Sequence, residues 1–297
     1  MAENNKTTEV AKLKDVGQGV TKKLLAQVES FANEIDRTPL TQEETIYAGE
    51  IVQQVLKTLN ERGIGLNQIA VTESALPQQI KRFARMKLSP ANNELFVDIR
   101  YNKNLGKNIV TLKKQYQGLQ REMVWYYKGG NKISHFKDGI VCVGDIFEVE
   151  EDFDTGYDRI IKHKKNPNLS DDDRNKIENI VKAYAIAYEV NGDRITPITV
   201  IIDTKRIMRA REASPSYDKS TDVWKTDTKR MVLKTAYWCL YNDRIRPFIE
   251  IPVNLQADWK ATNDEMEFET ARTIASDSYE TVVDNVSEGE YIEVVAE

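Results

Sequence analysis

The sequence predicts an α+β protein: an antiparallel β-sheet core with packed helices, a helical N-terminal region and an acidic C-terminal tail. Three observations predict it. Apolar residues recur at helical spacing as far as Leu88, they alternate with polar residues from about Glu94, and helical spacing returns after Asp203. The charge then changes sign near the end of the chain.

Residues 1–20 read as a loose arm, and LLAQVESFANEI, residues 24–35, has amphipathic spacing. Thr41-Gln-Glu-Glu44 is a capping box, in which a hydroxyl and a carboxylate satisfy each other's backbone N–H groups at a helix start. That helix should stop at Gly63 and bury a stripe of Ile51, Val52, Val55, Leu56 and Leu59. A second helix begins near Pro77, with Lys81, Arg82 and Arg85 on its polar side. ELFVDIRYN and KNIVTLKK then alternate about Asn104-Leu105-Gly106, a hairpin, and NKISHFKDG, IVCVGDIFEVEED and YDRIIKHKK continue the alternation. The clearest signal is IVKAYAIAYEVNGDRITPITVIID, two β-rich runs either side of Asn191-Gly192. TKRIMRARE and the stretch from about Asp222 to Tyr241 return to helix.

Composition places the 297 residues, 40% of them hydrophobic, among soluble globular proteins. No run approaches the roughly 18 apolar residues of a membrane span, and the N-terminus lacks the apolar segment of a secretory signal, so a cytoplasmic protein is expected. Cys142 and Cys239 lie in apolar surroundings that suit buried free thiols. A zinc site would need both of them to converge with His135 and His163, the two histidines of the chain. No nucleotide-cradling GxxxxGK[ST] loop, GxSxG elbow or HExxH helix is present, so neither a catalytic residue nor a cofactor is assigned. The carboxylates Asp145, Glu148, Glu150, Glu151, Asp152 and Asp154 offer two readings, a metal site or a solvated turn.

The net charge of −5 hides a division. From Gln256 onward twelve acidic residues face Lys260 and Arg272, a net of −10, which leaves residues 1–255 at +5. A basic body with an acidic tail suits a protein that touches nucleic acid, because the tail competes with phosphate; it also suits a merely solubilising tail. The positive charge is clustered between Lys81 and Lys132 and between Asp203 and Arg246.

Within the first cluster, placing residues from Gln115 at 100° intervals puts Tyr116, Leu119, Met123, Tyr126 and Tyr127 on a core face. Gln117, Arg121, Trp125 and Lys128 fall on another arc. Trp125 there is either a stacking platform beside phosphate contacts or a second hydrophobic contact among snorkelling cationic stems. In the second cluster Arg230, Lys234, Tyr237 and Tyr241 line one stripe, opposite Val232, Leu233, Ala236, Cys239 and Leu240. Basic-plus-aromatic stripes suit a nucleic-acid strand, whose phosphates need cations and whose bases stack on rings.

The order of features resembles the RecT family of phage-type single-strand annealing proteins, recombinases related in function to Redβ. The likeness runs from about Leu76 to Arg246. It is carried by MKLSPANNELFVDIRYN, IVTLKKQYQGLQREM with its Tyr-x-Gly-Leu, IIKHKKN with its Ile-x-His, IVKAYAIAYEVNGD, and a Trp followed by KRMVLKTAYW. One departure is that the family favours Gly-Tyr-Lys-Gly at the helix start, where this chain has Gln115-Tyr116-Gln117-Gly118 with its lysines upstream at 113 and 114.

The resemblance implies a β-β-β-α-like core that binds and anneals single-stranded DNA without ATP, holds the nascent duplex, and assembles into a ring or helical filament. It further implies a partner exonuclease and a host single-strand DNA-binding protein, and no membrane. The expected division is 1–63 as N-terminal arm and helices supplying subunit contacts, 64–255 as the DNA-binding annealing core and 256–297 as the acidic tail. The same N-terminal stripes would serve equally to pack on the chain's own sheet. The DNA-binding candidates are Arg100, Lys103, Lys107, Lys113, Lys114, Tyr116, Arg121, Trp125 and Lys128 in the first cluster. In the second they are Arg206, Arg209, Lys225, Lys229, Arg230, Lys234 and Tyr237. Lys113 and Lys114 would act with free N–H groups of the following helix on one phosphate. Readings from other classes are a metal-dependent nuclease at the acidic cluster and a structural oligomer-forming protein.

Overall fold

A computed structural model describes residues 22, 24–26, 28, 39–72, 74–128, 131–153, 156–214, 217 and 222–263. The expected arm over residues 1–20 and the tail beyond Asn263 lie outside the described residues. The chain is α+β with antiparallel hairpins, and it divides into two compact units. One holds the residues up to Ile133 together with Ile245–Asn263, and the other holds Ser134–Arg244. Among the described residues no helix is long and apolar enough to cross a membrane.

The first unit begins with helix α1 (Gln42–Glu61), opened by the expected capping box: Glu44 N–H donates to Thr41 Oγ1 at 3.2 Å and Thr41 N–H donates to Glu44 Oε2 at 2.7 Å. Helix α2 (Leu76–Arg85) carries Pro77 in its first turn. Strands β1 (Leu95–Asn102) and β2 (Lys107–Lys114) pair in one register from Leu95 opposite Lys114 to Asn102 opposite Lys107. Leu95, Val97, Ile99, Val110 and Leu112 turn to the core, where they meet Ile51, Val52, Val55 and Leu59 of α1 and Leu76, Ile80 and Phe83 of α2. The stripe of α1 is thus buried in its own chain's core. Any subunit contact by this region has to use other faces, such as the one carrying the exposed Ile46.

Helix α3 (Tyr116–Tyr126) follows β2. Gly118 lets it lie close to the hairpin, since a Cβ there would sit 2.6 Å from the Glu94 carbonyl oxygen and 2.7 Å from Lys114 Cγ. This is a physical reason for the glycine of the Tyr-x-Gly-Leu pattern. One expectation needs correction here. Arg85 and Lys81 are buried rather than on a polar face. Arg85 pairs with Asp258 at 3.0 Å and donates to the Asn254 carbonyl at 2.8 Å, so the returning segment closes over α2. Residues 256–263 are helical; Asp258, Thr262 and Asn263 are buried, and Trp259 packs on the core.

The second unit is built on a three-stranded sheet in the order β3 (Lys132–Cys142), β6 (Ile180–Asn191), β7 (Arg194–Asp203). The β6–β7 hairpin turns at Gly192-Asp193, where Gly192 has φ +58°. On one sheet face lie Ala183, Ala185 and Ala187, opposite Ile202, Val200 and Ile198. Helices α5 (Thr204–Glu212) and α7 (Thr228–Cys239) pack on this sheet, and small side chains let them approach it. The opposite face presents Tyr184, Ile186 and Tyr188 to the hairpin β4 (Ile146–Asp152) and β5 (Tyr157–Lys164), through Phe147 and Ile160. A four-residue helix α4 (Asp171–Arg174) precedes β6, and α6 (Val223–Thr226) precedes α7. The single helix expected over 222–241 is therefore broken at Asp227 (φ −141°, ψ 53°) and continues past Cys239 as a π-helix, Leu240–Ile245.

Candidate nucleic-acid interface

In the first unit, strand alternation turns Phe96, Asp98 and Arg100 to the face opposite the core, across from Lys113, Thr111 and Ile109. Asp98 lies between two cations, 2.9 Å from Arg100 Nε and 3.3 Å from Lys113 Nζ. The trio keeps a net positive charge while holding both cations over one surface. Lys103 in the turn and Lys107 at the start of β2 are exposed, and so is much of Phe96. Cations around an exposed ring on a sheet match what a strand needs when its backbone is neutralised and its bases are not read.

The same alternation overturns the expectation for Lys114. If Lys113 faces outward, Lys114 must face inward, and its side chain is wholly buried. Its ammonium pairs with Glu122 and donates to Asn263 Oδ1 at 2.8 Å, while Trp259 Nε1 donates to the other Glu122 oxygen at 3.2 Å. Burial lowers the Lys114 pKa, opposed by the adjacent Glu122 carboxylate. Lys114 is therefore a core ion-pair partner and offers no charge to phosphate. Tyr116 is half-buried at the start of α3, a helix without a side-chain N-cap.

Farther along α3, Trp125 is 42% exposed and carries the Arg121 guanidinium 4.1 Å from its ring centroid. Arg121 is fixed by Glu94 at 3.3 Å and accepted by Tyr47 Oη at 3.1 Å, so this cation–ring pair is set in place by the fold. Lys87 adds a second cation 5.5 Å from the same ring. Lys87 belongs to the basic cluster between Lys81 and Lys132 but lies outside the candidate residues that helical phase brings together. Its placement depends on a left-handed backbone (φ +52°) just past the end of α2, a signal that a helix-ending MKLSP carries only weakly. Lys128 is exposed and pairs with Glu250 at 2.7 Å.

In the second unit, Lys225, Lys229 and Arg230 are exposed, and Lys234 is half-buried farther along α7. Arg206 and Arg209 are half-buried on α5, Arg206 beside Cys239 and Asp243. Tyr237 and Tyr241, expected on the solvent stripe, are 1% exposed. The helix phase is right, with Val232, Leu233, Ala236, Cys239 and Leu240 all buried, but the C-terminal half of α7 is enclosed on every side. Tyr237 donates to Asp138 Oδ2 at 2.9 Å and packs edge-on against Phe136. The exposed stripe of α7 thus ends near Lys234.

Asp145 of the acidic cluster has its lone pairs occupied. It accepts from the backbone N–H of Cys142 (2.8 Å) and Asn166 (2.7 Å) and from both terminal nitrogens of Arg174 (2.8 and 2.7 Å), and it lies 3.1 Å from His163 Nε2. Burial by itself would raise its pKa; these donors, Arg174 first, hold it well below the ordinary carboxylate range. Glu148 and Glu150 face Lys162 and Arg159 across the hairpin, and Asp154 lies outside the described residues. Cys142 and Cys239 are buried free thiols, and burial raises both.

No curated protein and no solved structure matches the chain. The sequence profile of the RecT family matches residues 49–276, a span that contains both basic surfaces, the Gly118 contact and the returning segment to Asn263. With more than half of its length matched, the chain belongs to the RecT family, whose proteins serve single-strand annealing in DNA recombination.

Proposed function

We propose that this protein binds single-stranded DNA along its basic surfaces and anneals complementary strands without ATP, as a homo-oligomer. The observation that carries the reading is the outward face of the β1–β2 hairpin, where Lys113 stands across from Phe96 and Arg100 and Lys107 lie farther along the same face, while Arg121 and Lys87 flank Trp125 on α3. Annealing makes and breaks no covalent bond, so its requirements are backbone neutralisation, accessible base edges and a raised local concentration of two like-charged strands. Exposed cations supply the first, and a shallow sheet face leaves bases accessible.

Lys113 stands at a strand-to-helix junction beside the uncapped N-terminus of α3, where one phosphate would meet side-chain charge and backbone N–H groups together. Lys225, Lys229 and Arg230 are proposed to contact the backbone in the second unit. Family membership supports oligomer formation, and a ring or filament would let many weak sites act together along one strand. A partner exonuclease and a host single-strand DNA-binding protein, a cytoplasmic setting, and competition between the acidic tail and phosphate complete the proposal.

The test is an annealing assay with two complementary oligonucleotides and no nucleotide cofactor. The expected outcome is acceleration over the protein-free rate. If about four phosphates are neutralised per subunit, log affinity for a single strand should fall with log salt at a slope near −3. A salt-independent affinity, or no acceleration, overturns the reading.

A further inference from the structure

In the second unit, away from the helical basic stripes, a cleft of about 380 Å³ opens between the β4–β5 hairpin and the β6–β7 sheet. Its size falls at the lower end of the roughly 300–1,000 Å³ typical of small-molecule sites. Ile160, Ile186, Ile195 and Pro197 supply the apolar part of a lining that is otherwise polar, and Tyr188 stands among them. His135 stacks on that ring with centroids 4.2 Å apart and planes 10° apart, while Ser134 Oγ donates to the Tyr188 carbonyl at 3.1 Å. The ring is thus fixed in orientation.

Two guanidiniums stand at the lining, Arg159 and Arg194. Arg159 is exposed and faces Glu150 at 3.9 Å, a separation and exposure at which an ion pair exchanges readily for another anion. Arg194 is exposed at the start of β7 and has no ion-pair partner among the described residues. Asp152 also lines the cleft. Thr199 supplies a further signal: it lines the cleft, it is 1% exposed, and its hydroxyl has no hydrogen-bond partner. A buried hydroxyl without a partner costs stability, which a ligand that bonds to it would restore.

We propose that this cleft takes a single nucleotide, its base held against Tyr188 beside the apolar side chains of the lining and its phosphate between Arg159 and Arg194. A planar apolar body with polar edges matches the ring, the isoleucines and the Thr199 hydroxyl; a dianionic group matches two arginine forks. The volume suits one nucleotide and not a stacked pair. This deepens the strand-binding reading and rests on it. Most bases of a strand must stay free to pair, and one nucleotide drawn out of the stack would anchor it against sliding. The same chemistry is offered by a free mononucleotide.

The experiment uses the full chain and two probes, thymidine 5′-monophosphate and a 30-residue thymidine oligonucleotide carrying one photoreactive 5-iodouracil. We expect the monophosphate to bind, and the iodouracil strand to crosslink to Tyr188. Arg194→Ala and Tyr188→Leu should each weaken monophosphate binding about tenfold, within the range that one base–aromatic contact supplies. Thr199→Val should also weaken it while raising the melting temperature, a combination that a purely structural threonine would not give. Displacement of the monophosphate by the plain 30-mer identifies a strand nucleotide as the occupant; simultaneous binding identifies a free one. If the 30-mer binds but the monophosphate does not and Tyr188 is not crosslinked, the cleft proposal fails and the annealing reading stands. If the monophosphate binds and no strand does, the cleft holds and the annealing reading fails.

Discussion

The two units bury charge in different ways. In the second, Asp145 gathers donors from Cys142, His163, Asn166 and Arg174, all within one stretch of chain and mostly hairpin neighbours. In the first, buried ion pairs join residues far apart: Arg85 to Asp258, and Lys114 with Glu122 to Asn263 and Trp259. The Asp145 cluster can assemble as soon as its own segment folds. The first unit is complete only when residues 245–263 return, because Asp258 neutralises Arg85 of α2, and Asn263 and Trp259 complete the hydrogen bonds of the Lys114–Glu122 pair. Residues 256–263 therefore pack as part of the first unit.

The sharpest way to break this contrast is truncation after Leu255. It removes Asp258, Trp259, Thr262 and Asn263, leaves the Arg85 guanidinium without its carboxylate, and should cost more than about 4 kcal/mol, unfolding the first unit. Truncation after Asn263 should melt as the full chain does. Equal melting of both truncations in a urea titration would show that the returning segment is not integral.

Next in size is Lys114→Met, which strands Glu122 in the core and should cost about 3–5 kcal/mol. Adding Glu122→Leu should recover much of that loss, and a double-mutant cycle measures the coupling. Independent, additive losses would contradict a buried pair.

For the second unit, Asp145→Asn should cost about 2–3 kcal/mol, the worth of charge-assisted bonds lost from one carboxylate. Because the folded-state pKa of Asp145 is depressed, its stabilisation is present above the unfolded value of about 3.9 and is lost as pH falls below it, through the folded value. Melting curves between neutral pH and about pH 2 should show this acid-induced loss in the parent and a flatter profile in the variant.

Gly118→Ala should follow at about 1–3 kcal/mol. Its Cβ meets the Glu94 carbonyl oxygen, a backbone atom that cannot swing aside, and this outweighs the gain of about 1 kcal/mol in helix propensity. Smallest in stability is Arg230→Ala, within about 0.5 kcal/mol. It should nevertheless weaken strand binding and reduce the salt slope by about 0.7. A large drop in melting temperature would make Arg230 structural.

Much of the fold was legible because its determinants are local. Thr41 and Glu44 are three residues apart, the β1–β2 register follows period-two alternation about a short turn, and the Ile51 to Leu59 stripe lies along one helix. Within the candidate site, exposure was legible only where it followed from that same periodicity, as for Arg100, Lys103, Lys107, Lys225 and Arg230. No spacing in the sequence joins Arg194, Tyr188 and His135, because they sit on different strands and become neighbours only through sheet order.

By itself, then, the sequence determined the α+β class, the two hairpins with their partners, the capped first helix and the two basic surfaces, since each depends on residues within about one element of one another. Tertiary structure decided which charges those surfaces keep. Lys113 and Lys114 are the same residue type at adjacent positions, yet one faces outward beside Asp98 and the other is sealed against Glu122 and against Asn263, 149 residues away. Tyr237 lies in phase with Arg230 but is enclosed beside Asp138, 99 residues distant. Periodicity gives the direction in which a side chain leaves its own backbone, but whether water or another segment waits there depends on the rest of the chain.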